Sequence, residues 1–167
     1  MDNTLEIRLA TFDDTKSIVD IYNQGIRKRY NAILDQISLE EYSSDFWFRD
    51  LDDYPIYVAE IDNIIVGWIS ISPYRANRRA YSNSKEVSFY LDENFIGKGI
   101  GSSLLHFIIE NQANIGFRNL FAILVANNQS SISLLKKFDF SLWGLMPKVL
   151  EMDDRLEDAA IYGRNFK

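Results

Sequence analysis

Apolar and polar residues alternate through Leu5–Leu9, which is the pattern of a strand that buries one face. The next segment, residues 11–14, resembles a capping box with Asp in place of Glu, and it precedes apolar residues at helical spacing. A second start signal at residues 38–41 precedes another apolar stretch that reaches Phe46. The N-terminal pattern therefore predicts one strand followed by two helices.

Two runs rich in β-branched and aromatic residues follow, at residues 56–60 and 64–72. Asp62 and Asn63 between them have the composition of a hairpin turn. A third run occupies residues 85–91, after a polar segment that is typical of a loop. These runs predict an antiparallel meander of three strands.

From Gly97 onward the apolar residues take helical spacing, and Gly116 is placed to end that helix. Residues 120–125 form a continuous apolar run, which is typical of a strand buried on both faces. A short helix and a closing pair of strands, residues 140–145 and 158–166, account for the rest. The pattern predicts a single domain of mixed α/β class over residues 1–167.

The composition is that of an ordinary globular protein, with 47% apolar and 25% charged residues over 167 positions. The chain has no cysteine and one histidine, His106, so we expect neither a disulfide framework nor a metal site. The net charge is -6 and no basic run is present, which argues against a nucleic-acid partner. The acidic N-terminus and the lack of an apolar run of membrane-spanning length predict a cytoplasmic protein with no membrane partner.

The segment with the most specific chemistry is the glycine-rich turn at residues 97–101, which follows the strand at 86–91. Glycine lets the backbone approach a ligand closely, and the first amides of the following helix have no partner inside it, so the turn can cradle a pyrophosphate. Its spacing matches neither the dinucleotide fingerprint nor the P-loop. A flexible loop that only begins a helix is the alternative interpretation.

Three blocks of the sequence occur in a characteristic order, namely Tyr74–Arg75 through Glu86–Asp92, then Gly97–Gly101, then Asn128–Phe140. Together they resemble the GNAT acetyltransferases, in particular the branch of phosphinothricin and other small-amine or amino-acid N-acetyltransferases. The likeness covers nearly the whole chain. It implies the GNAT-type acyl-CoA N-acyltransferase fold, in which a central mixed sheet flanked by helices is splayed to admit acetyl-CoA, and it implies a homodimer.

The resemblance also implies where acetyl-CoA binds. The backbone of the strand at residues 89–91 would pair with the pantetheine arm, and residues 97–102 would hold the pyrophosphate. Asn128, taken alone, also fits a helix N-cap. The cofactor-binding residues implied in this way are Phe89, Tyr90, Leu91, Gly97, Lys98, Gly99, Ile100, Gly101, Ser102, Asn128, Ser131 and Lys137.

Three positions depart from the family pattern. Ile96 stands where the family usually begins the turn with Gln or Arg, a loss that Lys98 would offset electrostatically. Leu135 stands where the family often has a Tyr or His that protonates departing coenzyme A. A thiol with a pKa of about 8.5 leaves tolerably as thiolate, so departure does not require a positioned acid. Tyr90 or water would supply the proton. Asp139 replaces the usual Gly after the short helix.

An amine must lose a proton before it attacks a thioester, so the site needs a base and a donor for the oxyanion. Glu86, Ser88 and Tyr90 share one face of the strand, and in similar family members the Glu at this position is the base. Glu86 is therefore the predicted catalytic base, with the Leu91 N–H as oxyanion donor. A solvated strand Glu paired with a Lys or Arg is the alternative.

The loop before this strand is rich in arginine, and a guanidinium binds a carboxylate bidentately, so Arg75 and Arg78 are predicted to bind substrate. Tyr30 and Tyr74 lie in loops that the family uses for the amine pocket. Solvated arginines and surface or core tyrosines are the alternatives. The aromatic runs at residues 46–48 and 142–143 are assigned to the core or to a dimer contact.

These features predict an N-acetyltransferase that moves the acetyl group of acetyl-CoA onto the primary amine of a small, amino-acid-like molecule of the phosphinothricin or methionine sulfoximine type. Transfer should be direct, because the chain has no Cys to carry an acetyl group and no credible His partner for a Ser. Two alternatives stay open. One is a noncatalytic acyl-CoA-binding regulatory module, and the other is an acetyltransferase of protein N-termini or Lys side chains.

Overall fold

The computed structural model describes residues 4–42 and 50–167. In these ranges seven strands form one sheet in the order β1-β2-β3-β4-β5-β7-β6, so the predicted mixed α/β class is confirmed. The parallel pair is β4 with β5. The strands are β1 (Glu6–Leu9), β2 (Ile56–Ile61), β3 (Ile64–Pro73), β4 (Ser84–Leu91), β5 (Asn119–Val125), β6 (Ser141–Met152) and β7 (Arg155–Asn165), and the helices are α1 (Thr15–Arg27), α2 (Ile100–Glu110), α3 (Gln112–Ile115) and α4 (Gln129–Lys137).

Polar contacts set the start of α1. The Thr11 N–H donates to the Asp14 carboxylate at 2.8 Å, and one turn of 3-10 helix, Phe12–Asp14, leads into the α-helix. Arg8 on β1 donates to both oxygens of the same carboxylate, at 2.7 and 2.8 Å. The helix start is thereby fixed to the sheet edge.

The second predicted helix has its start signal in place. The Ser38 N–H donates to the Glu41 carboxylate at 2.7 Å, and the Glu41 N–H donates to Ser38 Oγ at 3.1 Å, which are the reciprocal bonds of a capping box. Residues 43–49, with the aromatic run at 46–48, lie outside the described residues, so the helix itself stays a prediction.

The sheet separates two hydrophobic cores. On one face α1 packs against β2 and β3, and Ile18, Ile26 and Trp68 are almost completely buried. On the other face α2 and α4 cover the middle strands, with Leu104 and Leu135 fully buried. Burial of a large apolar side chain contributes about 1.5–3 kcal/mol, so both cores hold the strands in their places. No helix in the described ranges combines the length and the apolar character that crossing a membrane requires.

The sheet opens between β4 and β5. Their pairing covers three positions and ends at Glu86↔Phe121, although β4 continues to Leu91 and β5 to Val125. On its other edge β4 stays paired with β3 through Leu91. The splayed sheet that the family resemblance implies is therefore present, and it leaves one backbone edge of β4 free.

Three local features differ from the sequence pattern. The helix after the glycine turn is divided into α2 and α3, and Gly116, with φ of 77°, ends the second piece. The closing strands β6 and β7 are longer than predicted and include two irregularities in register. Asp139 has φ of 62°, so it adopts the left-handed conformation of the Gly that it replaces. Asp tolerates this region better than most residues, which preserves the turn.

Candidate active site

A cavity of about 560 Å³ occupies the gap between the separated ends of β4 and β5. This volume is typical of pockets that bind small molecules and cofactors. Its walls come mainly from the end of α1 and the following loop, the second half of β4, the glycine turn, the end of β5 and the start of α4. The predicted site residues that line it are Tyr30, Phe89, Tyr90, Leu91, Gly97, Gly99, Gly101, Ser102, Asn128 and Ser131.

The free edge of β4 presents backbone groups to this cavity. The Asp92 N–H donates to the Val66 carbonyl on β3 at 3.0 Å, and N–H directions alternate along a strand. The N–H and C=O groups of Phe89 and Leu91 therefore point away from β3 and into the gap. An extended ligand arm can pair with them as an added strand would.

The glycine turn is open because of its backbone conformation. Gly97 and Gly99 have φ of 80° and 83°, and a Cβ at either position would meet no atom within 4 Å. The left-handed backbone, and not crowding, is what requires glycine at these two positions. At Gly101 a Cβ would lie 3.0 Å from Leu134 Cδ2, so that glycine lets α2 approach α4 closely. Open space beside a helix N-terminus is an environment suited to a phosphate group.

Positive charge stands next to the turn. The Lys137 Nζ lies 3.3 Å from Ser102 Oγ at the start of α2, and the Lys98 Nζ lies 4.4 Å from the centroid of the Phe95 ring. Ile100 is 2% exposed and packs into the core, so its backbone amide is the group it offers at the helix start. Lys98, Ile100 and Lys137 are not part of the cavity wall.

Asn128 shapes the opposite wall. Its Oδ1 accepts hydrogen bonds from the Ser131 N–H at 3.2 Å and from Ser130 Oγ at 3.0 Å, which is an N-cap for α4. Its Nδ2 donates to the Tyr30 carbonyl at 3.4 Å. The N-cap alternative therefore describes this side chain, and the cap also holds the start of α4 against the cavity.

Glu86 stands at the position where β4 and β5 separate. Its side chain is half-buried on the α1 face of the sheet, which it shares with Ser88 and Tyr90. It has no hydrogen bond or ion pair to another residue in ranges 4–42 and 50–167, so the Lys or Arg of the alternative interpretation is missing there. Burial raises the pKa of the Glu86 carboxyl above its usual value of 4.5. A half-buried carboxylate of this kind is suited to accept a proton, although it does not line the cavity itself.

Tyr90 lies in an aromatic cluster between β4 and α1. Its ring centroid is 4.7 Å from that of Tyr22 and 4.8 Å from that of Trp68, and its hydroxyl accepts a hydrogen bond from Asn31 Nδ2 at 3.4 Å. Gly25 makes room for the ring, because a Cβ there would lie 3.0 Å from Tyr90 Cδ1. Burial raises the pKa of the Tyr90 hydroxyl well above its ordinary range. Tyr90 therefore gives up its proton less readily than a solvated tyrosine.

Comparison with known proteins identifies the family. Residues 18–140 match the sequence model of the Acetyltransferase (GNAT) family. The chain belongs to the GNAT acetyltransferase family. Its class of activity is acetyl-CoA-dependent N-acetyl transfer, and the family and the fold predicted from the sequence are both confirmed.

The relatives are similar along most of the chain. YwnH of Bacillus subtilis, provisionally named a phosphinothricin acetyltransferase, is 35% identical over 96% of this chain and 98% of its own. The L-methionine sulfoximine/L-methionine sulfone acetyltransferase of Pseudomonas aeruginosa is 30% identical over 86% of this chain and 84% of its own. The crystal structure of a GNAT phosphinothricin acetyltransferase from Sinorhizobium meliloti, in complex with AcCoA, has a TM-score of 0.89 at 30% identity, covering 98% of this chain and 89% of that chain.

Aromatic rings connect the loop after β3 of this GNAT enzyme to the β5 residue that is paired with Glu86. Phe121 is the β5 residue paired with Glu86, and its ring centroid lies 4.7 Å from that of Tyr74. Tyr74 lies 5.1 Å from Tyr81 between centroids, and the Arg75 guanidinium lies 5.5 Å from the Tyr74 ring. Tyr74 therefore contacts the β5 residue that is paired with Glu86, and both Tyr74 and Arg75 lie outside the cavity wall.

The other two predicted acceptor residues of this GNAT enzyme have different surroundings. Arg78 is exposed, and its N–H donates to the Arg75 carbonyl at 2.8 Å within a turn of the loop. Tyr30 is 42% exposed and lines the cavity. Tyr30 therefore lies on the cavity, whereas Tyr74, Arg75 and Arg78 lie on the loop between β3 and β4.

The positions that depart from the family pattern give the cavity an apolar character. Ile96 is 48% exposed and Leu135 is fully buried in the core, and both contribute to the wall. Neither side chain can donate a hydrogen bond or a proton. In this GNAT enzyme, a polar contact to the phosphates and a proton for departing coenzyme A would therefore have to come from other groups.

Among the polar wall residues that were not predicted as site residues, three come from α1 and the loop that follows it: Gln24, Lys28 and Asn31. Gln24 Nε2 donates to Asp92 Oδ2 at 2.9 Å, and the Lys28 Nζ lies 3.2 Å from Glu93 Oε2. The signal available in the sequence was a polar pair four residues apart at the end of an amphipathic helix. Such a pair does not indicate which strand it will meet.

Proposed function

We propose that this enzyme transfers the acetyl group of acetyl-CoA to the primary amine of a small, amino-acid-like molecule. Its relatives are named for phosphinothricin and for L-methionine sulfoximine, which supports a small-molecule acceptor. Arg75 supports a carboxylate on that molecule, because its guanidinium lies in the acceptor loop and can bind a carboxylate bidentately.

The position of Glu86 carries the proposal. Backbone pairing between β4 and β5 ends at this residue, so a carboxyl with a raised pKa stands where the free edge of β4 begins. Glu86 accepts the proton of the amine, and the Leu91 N–H stabilises the oxyanion. When bound, acetyl-CoA would supply an acetyl group activated as a thioester, and its C–S bond would break as the C–N bond forms, so that coenzyme A leaves as thiolate and takes a proton from water. Tyr30, Tyr74, Arg75 and Arg78 surround the acceptor.

Binding of acetyl-CoA rests mainly on backbone groups in this proposal. The N–H and C=O of Phe89 and the C=O of Leu91 pair with the pantetheine arm, and residues 97–102 hold the pyrophosphate. The open space beside Gly97 and Gly99 supports this fit. Lys98 and Lys137 add positive charge, while Tyr90, Asn128 and Ser131 form the walls on either side.

A substrate panel tests the function. The purified protein is incubated with acetyl-CoA and with L-amino acids, their amides, amines that lack a carboxylate, and peptides, and free thiol and product mass are both measured. We expect thiol release with amino acids and a product acetylated once at the amine. Absence of thiol release with every acceptor would support the noncatalytic alternative, and acetylation of peptides alone would support the protein acetyltransferase.

We also propose that the enzyme is a homodimer that associates through β6. This edge strand exposes five large apolar side chains, each 36–55% exposed, and an exposed apolar row marks an interaction surface. Light scattering should give a dimer for the wild type and a monomer for Leu145→Glu, and a monomeric wild type would contradict the proposal. The five side chains are Leu142, Trp143, Leu145, Met146 and Val149.

A single domain over residues 1–167 is a further proposal, supported by the one sheet that contains both β1 and β7. The cytoplasmic location stays a prediction from the sequence. Fractionation of cells that produce the tagged protein measures it directly.

A further inference from the structure

The loop at residues 28–37, which follows α1, forms one side of the cavity. Lys28, Tyr30, Asn31 and Ala32 from this loop are part of the wall. At its far end the loop is fixed by Asn23, whose amide bonds both the N–H and the carbonyl of Ile37, at 2.9 and 2.8 Å. The conformation of the part that faces the cavity depends on other contacts.

The hydrogen bonds that Tyr30 and Asn31 make across the cavity are long. Asn31 Nδ2 donates to the Tyr90 hydroxyl at 3.4 Å, and Asn128 Nδ2 donates to the Tyr30 carbonyl at 3.4 Å. Both distances exceed the usual range for an N–H···O hydrogen bond, so each bond is weak. These contacts alone do not fix the wall.

The strongest contact of the loop lies outside the cavity. Arg29 Nε and Nη2 donate to the two oxygens of Asp153, each at 2.8 Å, and Arg29 Nη1 donates to the Leu34 carbonyl at 2.6 Å. Asp153 lies in the turn between β6 and β7, 124 residues away in the sequence. A bidentate, charge-assisted pair of this kind specifies geometry as well as affinity. The Arg29 side chain therefore joins the start of the loop to Leu34 near its end and to Asp153 in the β6–β7 turn.

The backbone at both ends of this pair is unusual. Arg29 has φ of 57° and Asp153 has φ of 51°, and left-handed backbone costs an L-residue free energy unless its surroundings require it. Arg29 has no intrinsic preference for this region. The end of α1 accounts for the conformation at Arg29, because the Arg29 and Tyr30 N–H groups donate to the Ile26 and Gly25 carbonyls, each at 3.0 Å, as in a Schellman cap. The ion pair with Asp153 adds a side-chain anchor at this point, directly before Tyr30 and Asn31.

We propose that Arg29 is a positioning residue for the acceptor: its ion pair with Asp153 holds the loop so that Tyr30 and Asn31 stand in place before the amine binds. The inference rests on the proposed function, in which Tyr30 contacts the amine. Arg29 is not part of the cavity wall, so it acts through the residues that follow it. A loop that is ordered before the ligand arrives improves binding, because its conformational entropy is not lost in the binding step.

The test uses Asp153→Asn, which keeps the shape of the side chain and removes its charge. We expect KM for the amine to rise about 5- to 20-fold, in line with loss of a charged hydrogen bond, while kcat and the acetyl-CoA Kd change less than about twofold. Hydrogen exchange of the amides at residues 28–37 should become faster in the same variant. Glu157→Gln is the matched control, because it breaks the Arg155–Glu157 ion pair of 2.8 Å in the same hairpin. This control should leave KM, kcat, the acetyl-CoA Kd and the exchange rates unchanged. The double variant Arg29→Asp with Asp153→Arg should recover part of the loss.

Two results would overturn the inference. One is a folded Asp153→Asn protein with unchanged KM and unchanged exchange at residues 28–37. The other is a variant whose acetyl-CoA affinity falls to the same extent as its KM for the amine rises, together with a lower Tm. That result would show general destabilisation. If the wild type acetylates no amine in the panel, the proposed function fails, and the exchange measurement alone then decides whether the ion pair orders the loop.

Discussion

In the proposed site, the cofactor side is built from backbone groups, whereas the acceptor side is built from side chains. Along the cavity the groups that face a ligand are the amides on the free edge of β4 and the open turn at residues 97–101. Around the end of the β4–β5 pairing they are the Glu86 carboxyl, the Tyr74 ring and the Arg75 guanidinium. The two sides meet at Glu86.

This difference determines what a substitution can change. A backbone site depends on the few residues that set the chain's conformation, so most side-chain changes leave it intact. A side-chain site can lose chemistry or specificity through one substitution without any change in the fold. Changes on the cofactor side should therefore alter acetyl-CoA affinity. Changes on the acceptor side should alter the chemical step or the choice of amine.

The largest effect should follow Glu86→Gln, which keeps the shape and removes the base. We expect kcat/KM at pH 7 to fall by roughly two to four powers of ten, with acetyl-CoA affinity almost unchanged. Because burial raises the pKa of Glu86, the wild-type rate should decline as pH falls through a value above the usual 4.5, and the variant should lack this decline. Glu110→Gln, at the end of α2, is the control with normal activity. A folded Glu86→Gln protein with near-normal rate at pH 7 would remove Glu86 from the mechanism.

Gly99→Val should weaken acetyl-CoA binding by about 10- to 100-fold, because the side chain fills the open space and strains the turn. Gly116→Val is a matched control, since Gly116 has a similar φ of 77° and equally open surroundings away from the cavity. Both variants should lose stability by about 1–2 kcal/mol from left-handed strain. Calorimetry should show the loss of affinity in Gly99→Val alone, and equal affinities in the two folded variants would contradict a phosphate site at this turn.

Arg75→Ala should discriminate between acceptors. We expect KM to rise about 5- to 20-fold for amino acids and less than about twofold for their amides, because the lost bond is to a carboxylate. Arg79→Ala, in the same exposed loop, should change neither value. Initial rates over a range of acceptor concentrations give the comparison, and equal effects on acids and amides would make Arg75 a solvated loop residue.

The smallest effect should come from Lys137→Gln. Its ammonium stands beside Ser102 but is exposed, so we expect acetyl-CoA affinity to fall only about two- to fivefold. The difference from wild type should shrink at about 0.5 M salt, because screening removes most of the contribution of an exposed charge. Lys136→Gln is the control, and an effect of Lys137→Gln that salt does not alter would argue against a charge contribution.

Much of the fold and part of the site could be predicted because their determinants are local. Alternating residues at 5–9, the capping signal at residue 11 and the Asp62-Asn63 turn each specify a nearby backbone conformation, and the structure has each element in place. The glycine turn is of the same kind, because Gly97 and Gly99 encode a left-handed backbone directly. The faces of β4 also follow from the sequence, since side chains alternate along a strand.

Other parts of the site were decided by contacts between segments that are far apart in the chain. The end of β4–β5 pairing at Glu86, the Arg29–Asp153 ion pair and the ring of Phe121 beside Tyr74 all join residues from different elements. The sequence by itself determined which segments become strands and helices and where the turn is open, and it indicated Glu86 as the carboxylate to test as the base. Only the tertiary structure decided that this carboxylate is half-buried with a raised pKa, because burial depends on which surfaces the other segments cover.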